Sequence, residues 1–339
     1  MHRTALTVVT LTVLAAGCLP AASTSAAGND PWVTYEGGEG PGKGTHVVFL
    51  AGDDEYRSEE LMPQLAQIAA VRHGFTCTVI WSIDPKTGEI DPSAKDHMPG
   101  LHLLEGADLM VMFLRFRALP PEQMKPIMDY TNSGRPMMGL RTTTHAFNYP
   151  GNSDNPYAKY SFRSKDPKGG YGRMVFGETW AGHYGHHGRE STLGIIPAEA
   201  RDHPIVRGIE TIWGPSDVYG ITSLEGECTP IVLGQPLAGM TPDAPPNEKK
   251  KPIPVAWTKR FTPAGGKAAR VFTTTMGHGH DLKNEGFRRL CINAVYWCLG
   301  MEDKIPAKAD VRFVGEYDPK PIGMNGYRKG MKPDDFRMK

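Results

Sequence analysis

The chain has 339 residues, 40% hydrophobic, 22% charged and 9% aromatic, enough for a large core in one big domain or two small ones. Lys and Arg total 38 against 37 Asp and Glu, a balance that argues against a nucleic-acid partner or a membrane-surface patch. With 39 Gly and 29 Pro, the composition excludes collagen-like, coiled-coil and wholly disordered chains and predicts long ordered loops around a compact centre.

Residues 1–27 read as an address. Arg3 supplies a positive start, Ala5 to Ala16 is uncharged and apolar, and small residues follow, as in a secretory signal. The run is too short to span a bilayer. Gly17-Cys18 after two alanines resembles a lipoprotein box, although Leu14 lies one place further from the cysteine than such boxes place it. Cleavage after Ala26 or Ala27 fits an ordinary signal peptidase equally well. Both routes export the protein, as a periplasmic or secreted chain, the first with a lipid anchor on Cys18. Residues 28–43 read as a linker. Cys77, Cys228, Cys291 and Cys298 contain no CxxC pair, which argues against a zinc site; an exported chain could pair them as disulfides, but their apolar surroundings favour buried free thiols.

Four short apolar runs follow: 46–51, 76–81, 108–114 and 136–140. They do not alternate, which suits strands buried on both faces of a parallel sheet. Between them, Ser58 ahead of Glu59 and Glu60 predicts a helix capped by Ser58 and closed by Gly74. Pro120 and Pro121 open another that closes at Gly134, with Pro126 predicting a late start or a kink. Residues 149–191 lack periodicity; strand-like runs resume at 192–196, 231–233, 254–257 and 269–275. An amphipathic helix covers about 284–299, and residues 239–252 read as an exposed insertion. From 303 to 339 the chain is a polar, Pro- and Gly-rich tail lying on the domain. The expectation is an α/β fold with an open, mostly parallel, doubly wound sheet.

In such a sheet, ligands bind beyond the carboxyl ends of the strands. Polar clusters stand at those ends: Asp53, Asp54, Glu55 and Tyr56; Arg115 and Arg117; Arg141, Thr142 and His145; His278 and His280. All should face one crevice. Alternation would put Arg115 and Arg117 on one side, as substrate contacts or as ion-pair partners of the first acids. The turn at 139–145 has the layout of a nucleophile elbow, but Arg141 or Thr142 stands where Ser or Cys would. It therefore reads as an anion- or hydroxyl-binding turn. Residues 177–190, GETWAGHYGHHGRE, hold Glu178, His183, His186 and His187. Imidazoles near neutral pH suit proton transfer or hydroxyl binding. With Glu178 they also suit a divalent metal such as zinc, although no zinc spacing is matched. The absence of GxGxxG and Walker loops predicts no nucleotide cofactor.

The segments HVVFLAGDDEYRSEE, GLRTTTHAF, GETWAGHYGHHGRES and VFTTTMGHGHD resemble the trehalose-utilisation ThuA-like domain in its exported bacterial version, over residues 44–302. The resemblance implies the class I glutamine-amidotransferase-like fold, a three-layer, flavodoxin-like sandwich without that superfamily's catalytic cysteine. It puts His278 where that fold has its histidine. It also implies the uptake and breakdown of disaccharides, with 3-keto sugars as substrates. The first expectation is thus a hydrolase or lyase acting on a keto-glycoside. His278 or His145 would move the proton, Asp53 or Asp54 would assist, and Arg141 would clamp substrate oxygens. The alternatives are a non-catalytic sugar- or partner-binding module and a metal-dependent hydrolase.

Overall fold

The computed structural model describes Met1, residues 30–151 and residues 154–338. The segment read as an export signal, apart from Met1, and Cys18 within it lie outside these described residues. Ten strands form one sheet: β1 Trp32–Tyr35, β2 His46–Gly52, β3 Thr76–Trp81, β4 Leu109–Leu114, β5 Met137–Leu140, β6 Thr192–Ile195, β7 Ile212–Gly214, β8 Glu227–Pro236, β9 Ile253–Phe261 and β10 Ala269–Thr274. Among the described residues three α-helices accompany them: α1 Ser58–His73, α2 Pro121–Asn132 and α3 Glu285–Cys298. The strand order is β1-β3-β2-β4-β5-β10-β9-β8-β6-β7.

The sheet is mixed rather than mostly parallel. Its neighbours from β3 to β10 run parallel, whereas β1 and the strands from β9 to β7 join antiparallel. The parallel half is built from the continuous apolar runs. Within β2, Val47 and Phe49 pack into the core under α1 and α3, while Val48 and Leu50 pack into a second core shared with α2. Both faces of the strand are dry, so both sets of positions must be apolar. In the antiparallel half β8 and β9 pair over most of their length, and the chain between them carries the 239–252 insertion.

Local chemistry changes several sequence expectations. The cap of α1 is Arg57 in the left-handed region at φ 66°, not Ser58. The Ser58 hydroxyl instead accepts from the Asp53 N–H at 2.8 Å. Gly74 does close α1, taking φ 80° and returning its N–H to Ala69 and Ala70. Helix α2 starts on time at Pro121 and carries Pro126 inside it. The stretch expected to be a linker includes β1, which pairs antiparallel with β3. Among the described residues no helix is long and apolar enough to cross a membrane.

Register brings the strand ends together. Gly52 of β2 lies opposite Leu114 of β4, and Leu140 of β5 lies opposite Thr274 of β10. The turns after these strands therefore share one edge, which is where a doubly wound sheet presents its ligand site.

Candidate active site

The first turn is folded by its own acid. Asp53 is fully buried and accepts from the N–H groups of Glu55 and Tyr56 and from the Thr142 hydroxyl at 2.7 Å. Asp53 and Thr142 thereby hold the turn and do not face the mouth. Asp54 is paired with Lys95 at 2.6 Å and with Arg115 at 2.9 Å. Arg115 also reaches Glu55 at 3.2 Å and lies 4.6 Å over the Phe116 ring. Phe116 takes φ 51°, which breaks the alternation expected of Arg115 and Arg117. Arg117 turns inward and donates to the Ser82 hydroxyl and to the carbonyls of Ala94 and Pro92. Burial pushes its guanidinium down to about 10, and it braces the loop rather than the site.

The strand-to-turn elbow after β5 is present, with Arg141 at its tip in the left-handed region at φ 45°. The guanidinium is buried; both terminal nitrogens are engaged by protein, while Nε has no hydrogen-bond partner among the described residues. The guanidinium donates to the carbonyls of Asp217 and Thr275 and to Asp217 Oδ1, each at 2.7 Å. Tyr56 and Tyr219 sandwich it at 4.4 and 3.8 Å. Arg141 thus holds Asp217.

Asp217 organises the histidines. Its Oδ2 lies 2.6 Å from His183 Nδ1 and its Oδ1 lies 3.1 Å from His187 Nδ1. The two rings stand 4.9 Å apart. Burial alone would raise the Asp217 carboxyl, but Arg141 and the two imidazoles outweigh it and hold it well below the usual carboxylate range. The hydrogen bond to Asp217 pushes His187 up against the opposing effect of burial. His187 Nε2 lies 3.6 Å from Glu55 Oε1, and burial raises the Glu55 carboxyl despite Arg115 beside it. The 183–187 loop reaches this place because the N–H groups of Tyr184 and Gly185 donate to the Val218 carbonyl. Asp281 fixes the strip below by accepting from the Ser216 hydroxyl at 2.6 Å and from the Gly277 and His278 N–H groups.

His145 lies behind this pair, its ring against Phe116, Phe162, Trp180 and Tyr219. Burial, helped by Arg115 and Arg141, holds its imidazole well below the ordinary value, so it stays neutral. His278 packs edge-on to Tyr56 and stacks on His280. Burial, then His280 and Arg141, push His278 down to about 2, and its Nε2 has no hydrogen-bond partner among the described residues. His280, stacked on it, is half-buried. Glu178 is buried elsewhere, bound to Arg173 and to the N–H groups of Thr179, Thr222 and Ser223. His186 is exposed and uses its N–H to hold Glu190. A hollow of about 290 Å³ between α1 and the tail, lined by residues including Glu60, Gln64 and Arg328, lies outside this constellation.

Of the residues singled out in the sequence, the structure brings together Glu55, Tyr56, Arg115, Arg141, His145, His183, His187 and His278. It adds Asp217, Tyr219 and Trp180. A family profile described as ThuA, trehalose utilisation, matches residues 89–298. The chain belongs to the ThuA family. A solved ThuA-like protein from Parabacteroides merdae is similar at 16% identity, covering 88% of this chain and 100% of that one with a TM-score of 0.49. A search of curated proteins found no match. The ThuA match includes Arg141, the histidine loop and Asp217 but not the acidic turn at 53–57. In this ThuA chain Asp217 carried one sequence signal, the Gly-Pro-Ser-Asp turn, which marks a loop and not a buried carboxylate. Trp180 lies inside the histidine-rich segment, where its ring reads as ordinary loop composition.

Proposed function

We propose that the chain processes a carbohydrate, a glycoside carrying a ring ketone, by histidine acid–base chemistry without a cysteine nucleophile. The observation that carries this reading is one buried carboxylate bonded to the Nδ1 atoms of two imidazoles. An imidazole held this way offers Nε2 for proton transfer, and its partner carboxylate stabilises the cation that forms. A ketone acidifies the neighbouring C–H. His183 takes that proton, the C–H electron pair becomes a C=C bond, and the adjacent C–O bond breaks. His187, raised by Asp217 and standing beside Glu55, returns a proton to the departing oxygen. Water adding to the unsaturated ketone would complete a net hydrolysis. The aromatic walls of Phe116, Trp180 and Tyr219 suit the apolar face of a sugar ring. The cysteines fit the same mechanism: Cys77, Cys291 and Cys298 are buried and Cys228 is half-buried, with burial raising each thiol. Export, with or without lipid on Cys18, is part of this proposal and rests on the apolar run from Ala5 to Ala16.

The test is incubation of the purified mature chain with disaccharides and their 3-keto forms, followed by mass spectrometry. Cleavage confined to keto forms is expected. Binding without any product would favour the non-catalytic sugar-binding module.

A second reading rests on the same trio. His183, His187 and Asp217 each offer a ligand atom within 4.8 Å of the others, and two imidazoles with a carboxylate suit zinc or another divalent ion. Such an ion would supply a Lewis acid for the substrate carbonyl. Stoichiometric metal in protein purified without chelator would favour it.

A further inference from the structure

The tail beyond the family-matched segment returns to the mouth. Residues 323–326 form a tight turn in which the Gly326 N–H donates to the Gly323 carbonyl at 3.2 Å and Asn325 takes φ 57°. This turn is bonded to the acidic turn of the site. The Gly323 N–H donates to the Glu55 carbonyl at 3.0 Å, and Arg57 Nη2 donates to the Gly323 carbonyl at 2.8 Å. The flanks are pinned as well: the Tyr317 hydroxyl donates to Gly279, Arg328 to Glu60 and the Tyr327 hydroxyl to Asp91. At the tip stands Met324, 50% exposed, with its Sδ 3.6 Å from Arg115 Nη1. Met324, the Arg115 guanidinium and the Phe116 ring beneath it therefore make one continuous ledge on the rim.

We propose that this ledge is the outer subsite of the mouth and that Met324 selects two-ring glycosides over one-ring glycosides. The inference rests on the carbohydrate reading above. The direction of the acid decides which side the second ring takes. His187 Nε2 faces Glu55, and Glu55 is held by Arg115. The glycosidic oxygen that receives the proton therefore lies on the Arg115 side, and the ring attached to it leaves across the ledge. There the thioether meets the C–H face of that ring, and any Arg115 N–H left free can meet its hydroxyls. A pinned turn offers this surface without an ordering cost at each binding event. The family-matched segment ends at 298, so this selectivity belongs to the tail.

The experiment compares a 3-keto disaccharide with the matching methyl 3-keto glycoside on the full mature chain and on Met324→Ala and Met324→Leu. In Met324→Ala the disaccharide KM should rise roughly tenfold, with kcat and both constants for the methyl glycoside unchanged. Met324→Leu should restore the disaccharide KM, showing that apolar contact and not folding is at issue. An unchanged disaccharide preference in Met324→Ala overturns the ledge while leaving the sugar reading intact. Failure of the wild-type chain to turn over either compound overturns both.

Discussion

A carboxylate enclosed by Arg141, His183 and His187 serves two ends, and a conservative substitution separates them. Asp217→Asn keeps the shape but removes the charge that balances a buried guanidinium. Breaking a buried pair this way costs about 3–5 kcal/mol, so a clear drop in the urea midpoint is expected. The histidines would lose their orienting anion too, and turnover should fall by about 10²-fold or more. A variant with wild-type stability and turnover would show that Asp217 does neither. The sequence displayed half of this arrangement. Three histidines within five residues announce themselves. A lone Asp in the loop between β7 and β8 does not, because its importance comes from Val218 capturing Tyr184 and from Arg141 turning inward. For the same reason Arg141 was legible as a special turn residue, while the direction of its guanidinium was not. His278 shows the converse: its place after the last strand was plain, but the enclosure that keeps it neutral includes Tyr56 from across the fold as well as its neighbour His280.

Helix α1 begins beside this site with an acid that no periodicity marks as unusual. Glu59 is buried, and neither carboxylate oxygen has a hydrogen-bond partner among the described residues. Burial pushes it up from its ordinary 4.5 to about 8, with Arg57 opposing only in part. The folded chain thus holds a proton at pH 7 that the unfolded chain releases. The stability from this group is complete below pH 4.5 and is lost as pH rises through 8. Melting temperatures measured from pH 5 to 9 should therefore decline more steeply for wild type than for Glu59→Gln. Parallel curves would contradict the assignment. The elements themselves were readable wherever burial left one solution: runs dry on both faces gave β2 to β5, and the apolar stripe gave α3. Strands β1 and β7 were not legible, having four and three residues and depending on their partners for existence. The cap of α1 was misplaced because Ser58 has the right chemistry for that role but spends its hydroxyl on Asp53.

At the scale of the molecule, division of labour within one sheet explains the site. The parallel half aligns the ends of β2, β4, β5 and β10. The antiparallel half carries β7 and the Asp217 loop to that edge, where Asp281 ties them down. A pattern of polar residues after strands could predict the first of these arrangements. The second required knowing that the sheet changes direction beyond β10, which hydrophobic runs alone do not encode. The central claim is that His183 removes a proton beside a substrate ketone, with Asp217 holding its ring. The most direct measurement is solvent exchange: incubate the protein with a 3-keto disaccharide in D2O and follow the C–H positions flanking the ketone by NMR. Deuterium should enter one flanking position in wild type and fail to enter with His183→Ala. Cleavage without deuterium entering any flanking position, or equal entry in both proteins, would contradict the account.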